Sequence, residues 1–156
     1  GGFYMSHVRD EADRVFEAFQ EAITIGEQAH ISVQISHIKL GTVAVWKRVS
    51  QAVKLIDDAR QREVDITADC YPYNAWHSTI TVLVPNKKYD DPVSVAKALD
   101  DVGGAANVMI DKDEAHPDYE FRALDGAQLA TDQLGRLTLE AHAGASTRTR
   151  PPRLGA

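Results

Sequence analysis

Two histidines stand where short apolar runs give way to polar residues. His37 sits near the end of ISVQISHIK, Ile31 to Lys39, and His7 closes GGFYMSH, Gly1 to His7, with Arg9 and Asp10 just behind it. Lys39 follows His37 at the same two-residue remove at which Arg9 follows His7. An imidazole can hydrogen-bond a neighbour or ligate a metal. Alone at a strand end, each histidine reads as the first of these, and each cation as surface charge. A pair delivered to one place could do more, so the decisive matter is which elements carry them.

Both runs read as brief strands, the one around His37 rich in Ile and Val. From Asp10 to about Ala29, Val15, Phe16, Phe19, Ala22 and Ile23 recur at three- and four-residue spacings, which predicts an outer-layer helix. A second helix is predicted over about Val45 to Arg62, with Val49, Ala52, Val53, Ile56 and Ala59 as its buried stripe. Val64 to Tyr71 (VDITADCY) alternates and stops at Pro72, whose nitrogen has no hydrogen to donate, so it reads as a third strand. This order predicts parallel strands with helices packed outside and their C-terminal ends on one rim. That rim, where α/β folds bind ligands, would hold His7 and His37 together. His7 to His37 is 30 residues and His37 to Tyr71 is 34, the length of a βα unit. A closed eight-stranded barrel takes about 250 residues. The fold class is therefore α/β, either an open sheet or part of a (β/α)8 barrel, and the start at Gly1-Gly2 reads like the middle of a longer chain.

Composition narrows the partners. At 44% hydrophobic and 26% charged over 156 residues, the chain has the make-up of an ordinary globular domain. A net charge of −6 argues against a general nucleic-acid or anionic-membrane surface, which needs clustered cations, and favours small-molecule chemistry. One cysteine, Cys70, excludes an internal disulfide framework and a multi-cysteine zinc ribbon. No apolar run approaches the roughly 18 residues of a membrane span. The compartment is unread, with the cytoplasm only as the default.

Four phrases in order, YMSHVRDE (Tyr4 to Glu11), VQISHIKL (Val33 to Leu40), DCYPYNAWHST (Asp69 to Thr79) and EAHPDYEF (Glu114 to Phe121), resemble the central part of the N-acyl-D-amino-acid deacylases. These belong to the metal-dependent amidohydrolase superfamily, and the resemblance covers about Gly1 to Ala127. It implies a partial (β/α)8 barrel, about strands five to seven, with an inserted lid segment. It also implies that His7 and His37 end strands five and six and coordinate a catalytic zinc, with one or two ions in the complete protein. The activity implied is removal of the acyl group from an N-acyl-D-amino acid. Zinc acidifies a bound water to a pKa of about 7 and polarises a carbonyl, which is what amide hydrolysis near neutral pH requires. Lys39 resembles the family's carboxylate-binding lysine, Arg9 is placed to share that task, and Tyr71 and Ser78 match substrate-contacting positions.

The family's His-x-His pair, its cysteine ligand and its strand-end aspartate base have no counterpart in this sequence, so no catalytic base is assigned. The expectation is that this polypeptide alone does not turn over substrate. Its partners are then a small-molecule N-acyl-D-amino acid and either the missing barrel strands or another copy. The alternative is a non-catalytic α/β remnant that acts by association. His30 and His116 are assigned no metal, Cys70 reads as a small buried hydrophobe, and Trp46 and Trp76 read as packing. Residues 1–79 are expected to form the partial barrel and 80–130 an inserted α+β lid segment. In that segment Ile80 to Val84 is an apolar run, Pro92 to Val102 a helix and Asn107 to Ile110 a strand. Residues 131–156, ending in AGASTRTRPPRLGA, have the composition of a disordered or non-native tail.

Overall fold

The computed structural model describes residues 1–112, 117–120, 122–124 and 146–149. The chain divides into two compact units, Gly1–Pro72 and Tyr73–Ala156. The division falls ahead of Thr79, where the first domain was expected to end, because Trp76–Thr79 pair with a strand of the second unit.

The first unit is a parallel sheet of β1 (Tyr4–Ser6), β2 (Val33–Ile35) and β3 (Ile66–Ala68), in that order. Helices α1 (Val15–Ala29) and α2 (Val49–Gln61) follow β1 and β2. Val15, Phe19 and Ile23 of α1 are fully buried with Val33 and Ile35 of β2. Burying a side chain of this kind stabilises the fold by about 1.5–3 kcal/mol. Gly26 lets α1 approach β2, since a Cβ there would stand 2.6 Å from Val33 Cγ2. The register sets Met5, Gln34 and Thr67 in one row across the sheet, out of the core that Val33, Ile35 and Ile66 enter.

Several expectations shift in this unit. Helix α1 starts at Val15 rather than Asp10. Asp10 Oδ1 instead accepts from Ala12 N at 2.8 Å and Arg14 N at 3.2 Å, closing a turn of its own before the helix. The expected stripe of α2 is narrower: Ala52, Ile56 and Ala59 are buried, whereas Val49 is 58% and Val53 54% exposed. Val53 lies about 100° round the helix from Ala52, at the margin of the packed face. Trp46–Arg48 form a 3-10 turn ahead of α2. Cys70 is exposed rather than buried, because β3 ends at Ala68 and the cysteine falls in the outgoing turn.

The second unit holds an antiparallel sheet, β4 (Trp76–Thr79), β6 (Ser146–Thr149) and β5 (Val108–Lys112), in that spatial order. Its core joins Leu83, Val84, Val95, Ala98, Val102, Val108, Ile110 and Leu124. Helix α3 (Pro92–Asp101) starts as expected with proline in its first turn, and Asp91 caps it by accepting from Val93 N and Ser94 N. The apolar run after Thr79 is a 3-10 turn, Ile80–Leu83. The expected tail is corrected in part, since Ser146–Thr149 form the central strand of this sheet. Its Thr147 and Thr149 suit a strand, and β4 and β5 each present an edge to it. Residues 131–145 and 150–156 lie outside the described residues, as does His116. Among the described residues, no helix is long and apolar enough to cross a membrane.

Candidate metal centre

His7 and His37 leave neighbouring parallel strands at their C-terminal ends, one residue past β1 and two past β2. The pairing runs on past the strands, with Ser36 N donating to Ser6 O at 2.9 Å, so the two exits stay side by side. The rings meet: His7 Nδ1 lies 3.1 Å from His37 Nε2, with centroids 4.9 Å apart. His7 is 63% exposed and His37 36% exposed at the side chain, which leaves the pair open to solution.

Glu11 joins this pair without having been singled out from the sequence, because it falls outside the apolar stripe of the helix expected from Asp10. In the turn before α1, its Oε1 lies 3.4 Å from His7 Nδ1 and 3.2 Å from His37 Nδ1. The signal available was its place four residues after His7, a spacing that brings side chains together when the segment turns. His7, Glu11 and His37 each offer a donor atom, all within 4.8 Å of one another. Gly41 secures Glu11: its amide donates to the Glu11 carbonyl at 2.6 Å, and a Cβ at position 41 would come within 2.7 Å of that oxygen.

Lys39 closes the cluster. Its ammonium bonds Glu11 Oε1, lies 2.7 Å from His37 Nδ1 and donates to the His37 carbonyl at 3.2 Å. Its Nζ also stands 5.9 Å from the ring centroid of Tyr71. Burial, and secondly the Glu11 charge, push the Tyr71 hydroxyl up to about 12, so it remains a neutral phenol and a donor at ordinary pH. Arg9 is not in this cluster, since its Nη2 is held at 2.5 Å by Glu21 Oε1 of α1. Ser78 lies on β4, in the second unit. His30 ends α1 in a left-handed conformation, with φ 51°, and is exposed.

The donors fit a zinc ion. Bonds of about 2.0–2.1 Å to a tetrahedral ion set its ligand atoms roughly 3.3 Å apart, close to the 3.1 Å between the two imidazole nitrogens. Were His37 to hold such an ion through Nε2, its ring proton would sit on Nδ1, which faces the Glu11 carboxylate at 3.2 Å. A carboxylate in that position fixes the tautomer of a metal-bound histidine. A protonated Nδ1 cannot also accept from Lys39, whose ammonium then keeps Glu11 and the His37 carbonyl.

The N-acyl-D-glutamate deacylase of Alcaligenes xylosoxydans xylosoxydans is 32% identical over 87 residues, which are 56% of this chain and 17% of that protein. The D-aminoacylase of the same organism is 36% identical over 75 residues, 48% of this chain and 15% of its own length. Over about half its length, the chain is similar to deacylases of N-acyl-D-amino acids. No protein-family model matches it. Among solved deacylases, the N-acyl-D-glutamate deacylase of Bordetella bronchiseptica, complexed with zinc and a phosphonate inhibitor that mimics the tetrahedral intermediate, aligns with a TM-score of 0.68 at 25% identity. That match covers 95% of this chain and 28% of the solved one. The chain thus spans less than a fifth of the curated deacylases it matches.

Proposed function

We propose that this chain forms part of a zinc-dependent amide hydrolase that removes the acyl group from N-acyl-D-amino acids. The observation that carries the reading is the 3.1 Å approach of His7 Nδ1 to His37 Nε2 at the C-terminal ends of adjacent parallel strands. In this reading β1, β2 and β3 are consecutive strands of a (β/α)8 barrel, and the row of Met5, Gln34 and Thr67 faces its interior. The outer edges of β1 and β3 pair with further strands of the same protein. Residues of the second unit belong to an inserted lid segment.

His7 and His37 hold the metal, and Glu11 orients the His37 ring. Zinc held there would supply a water acidified to a pKa of about 7 and a Lewis acid for the carbonyl. Lys39, with its amine on the rim beside the histidines, receives the substrate's free carboxylate in exchange for part of its bond to Glu11. The neutral Tyr71 phenol can donate to a carboxylate or carbonyl oxygen without adding charge. Arg9 joins the carboxylate site on release from Glu21. No residue of this chain is assigned as the general base, so turnover belongs to the longer protein.

The test uses the purified chain with zinc chloride and N-acetyl-D-glutamate. The expected result is zinc uptake, read by calorimetry and lost in His37→Ala, with no release of acetate. Absence of uptake by the folded chain counts against the metal reading. Acetate release dependent on His7 and His37 would instead show that the chain carries its own base.

A further inference from the structure

His37 is a non-glycine residue in the left-handed region, with φ 41°. That conformation is uncommon for a residue with a side chain and is strained unless its surroundings hold it. Asp69, in the turn after β3, supplies the hold. Its Oδ1 accepts from the His37 amide at 2.6 Å. Its own backbone brackets the same turn, with Asp69 N donating to Ile35 O at 3.1 Å and Ile38 N donating to Asp69 O at 2.8 Å. The other carboxylate oxygen is taken as well: Gln34 Nε2 donates to Asp69 Oδ2 at 2.7 Å, and Thr67 Oγ1 donates to Gln34 Oε1. Thr67, Gln34, Asp69 and His37 thus form one polar chain running along the sheet to its C-terminal rim.

We propose that Asp69 is a positioning residue of the site, its carboxylate fixing His37 in the left-handed turn that presents the imidazole to His7. Three features carry this. The bond goes to the amide of a residue in the left-handed region. Both carboxylate oxygens accept from donors of this unit, so the group has a fixed orientation. The partners are 32 residues apart in sequence, so the bond ties the exit of β3 to the exit of β2. Without the bond, the peptide before His37 is free to return to the extended region. The ring then swings away from His7, and a metal loses one of its two nitrogens.

The consequence for metal binding rests on the proposed function, whereas the hold on the turn does not, and the experiment separates them. In the full chain without metal, Asp69→Ala is compared with Asp69→Asn, which keeps an acceptor oxygen. NMR reads hydrogen exchange of the His37 amide and the coupling that reports its φ. In Asp69→Ala the amide is expected to exchange at least tenfold faster and the coupling to leave its left-handed value, while Asp69→Asn restores both. With zinc chloride, titrated against a chromophoric chelator, Asp69→Ala is expected to lose about 10–100-fold in affinity, the range for outer-shell partners of metal-binding histidines. Asn is expected to stay within about threefold of the original chain. An Asp69→Ala chain that melts cooperatively with His37 exchange and coupling unchanged overturns the proposal, as does a loss in Asn equal to that in Ala. If the original chain takes up no zinc, the metal reading fails and the amide measurements still judge the role of Asp69. If Asp69→Ala does not fold, Asp69→Glu, with its carboxylate one methylene too far, is read by the same two NMR quantities against the same outcomes.

Discussion

The amide of Gly41 donates to the carbonyl of Glu11 at 2.6 Å, and a Cβ on residue 41 would meet that same oxygen at 2.7 Å. The loop after β2 is thereby clamped to the turn after β1, and that turn carries the carboxylate shared by His7, His37 and Lys39. The contact is between backbones, so a side chain at position 41 has no flexible neighbour to push aside.

Gly41→Ala is therefore expected to destabilise the first unit by about 1–3 kcal/mol, the range for overpacking a close contact. It should also weaken zinc binding by moving Glu11. Urea melts and zinc titration of the variant check both, and a Gly41→Ala chain that matches the original in both measurements would contradict the clamp.

The exposed histidine separates binding from stability. His7→Ala is expected to lower zinc affinity at least tenfold yet leave metal-free stability within about 0.5 kcal/mol, because its side chain is 63% exposed. Calorimetric titration and denaturant melts of the same preparation measure the two effects.

Glu11→Gln keeps the shape of the side chain and removes its charge. With the His37 tautomer no longer set by a carboxylate, zinc affinity is expected to fall by about 10–100-fold. The resonance of His37 Nδ1 in the zinc-loaded chain provides a second measure. An unchanged shift there on substitution would remove Glu11 from the site.

Tyr71 predicts a dependence on alkaline pH. Its folded-state value of about 12 lies above the ordinary 10, so folding favours the neutral phenol. The contribution is full below pH 10, where both states are protonated. It declines as pH rises from 10 toward about 12, because the unfolded chain loses the proton first. Tyr71→Phe should flatten this decline in melts taken across that window, and ultraviolet titration of the folded chain should show one phenol ionising late.

On α2 the buried and exposed apolar residues should respond differently. Ile56→Ala is expected to cost about 2–5 kcal/mol, whereas Val53→Thr should stay within about 0.5 kcal/mol, since Ile56 is 6% and Val53 54% exposed. A large loss at Val53 in the isolated chain would mean that this face of α2 is covered.

What the amino-acid order determined by itself was the alternation of strand and helix and the delivery of His7 and His37 to one rim. Both follow from local periodicity and from the parallel sense that such alternation imposes. Lys39 was legible for the same reason, two residues along the chain from His37. The tertiary structure alone decided that Glu11 turns inward, that Arg9 is taken by Glu21, that Cys70 is exposed and that residues 146–149 complete a sheet. It also decided that Asp69 holds His37. These outcomes depend on contacts such as Lys39 with Glu11 and His37 with Asp69, 28 and 32 residues apart. Hydrophobic spacing specifies which face of an element is buried. It carries no information about the turns between elements, where a capping aspartate, a left-handed residue or a glycine sets the direction of every polar side chain at the rim.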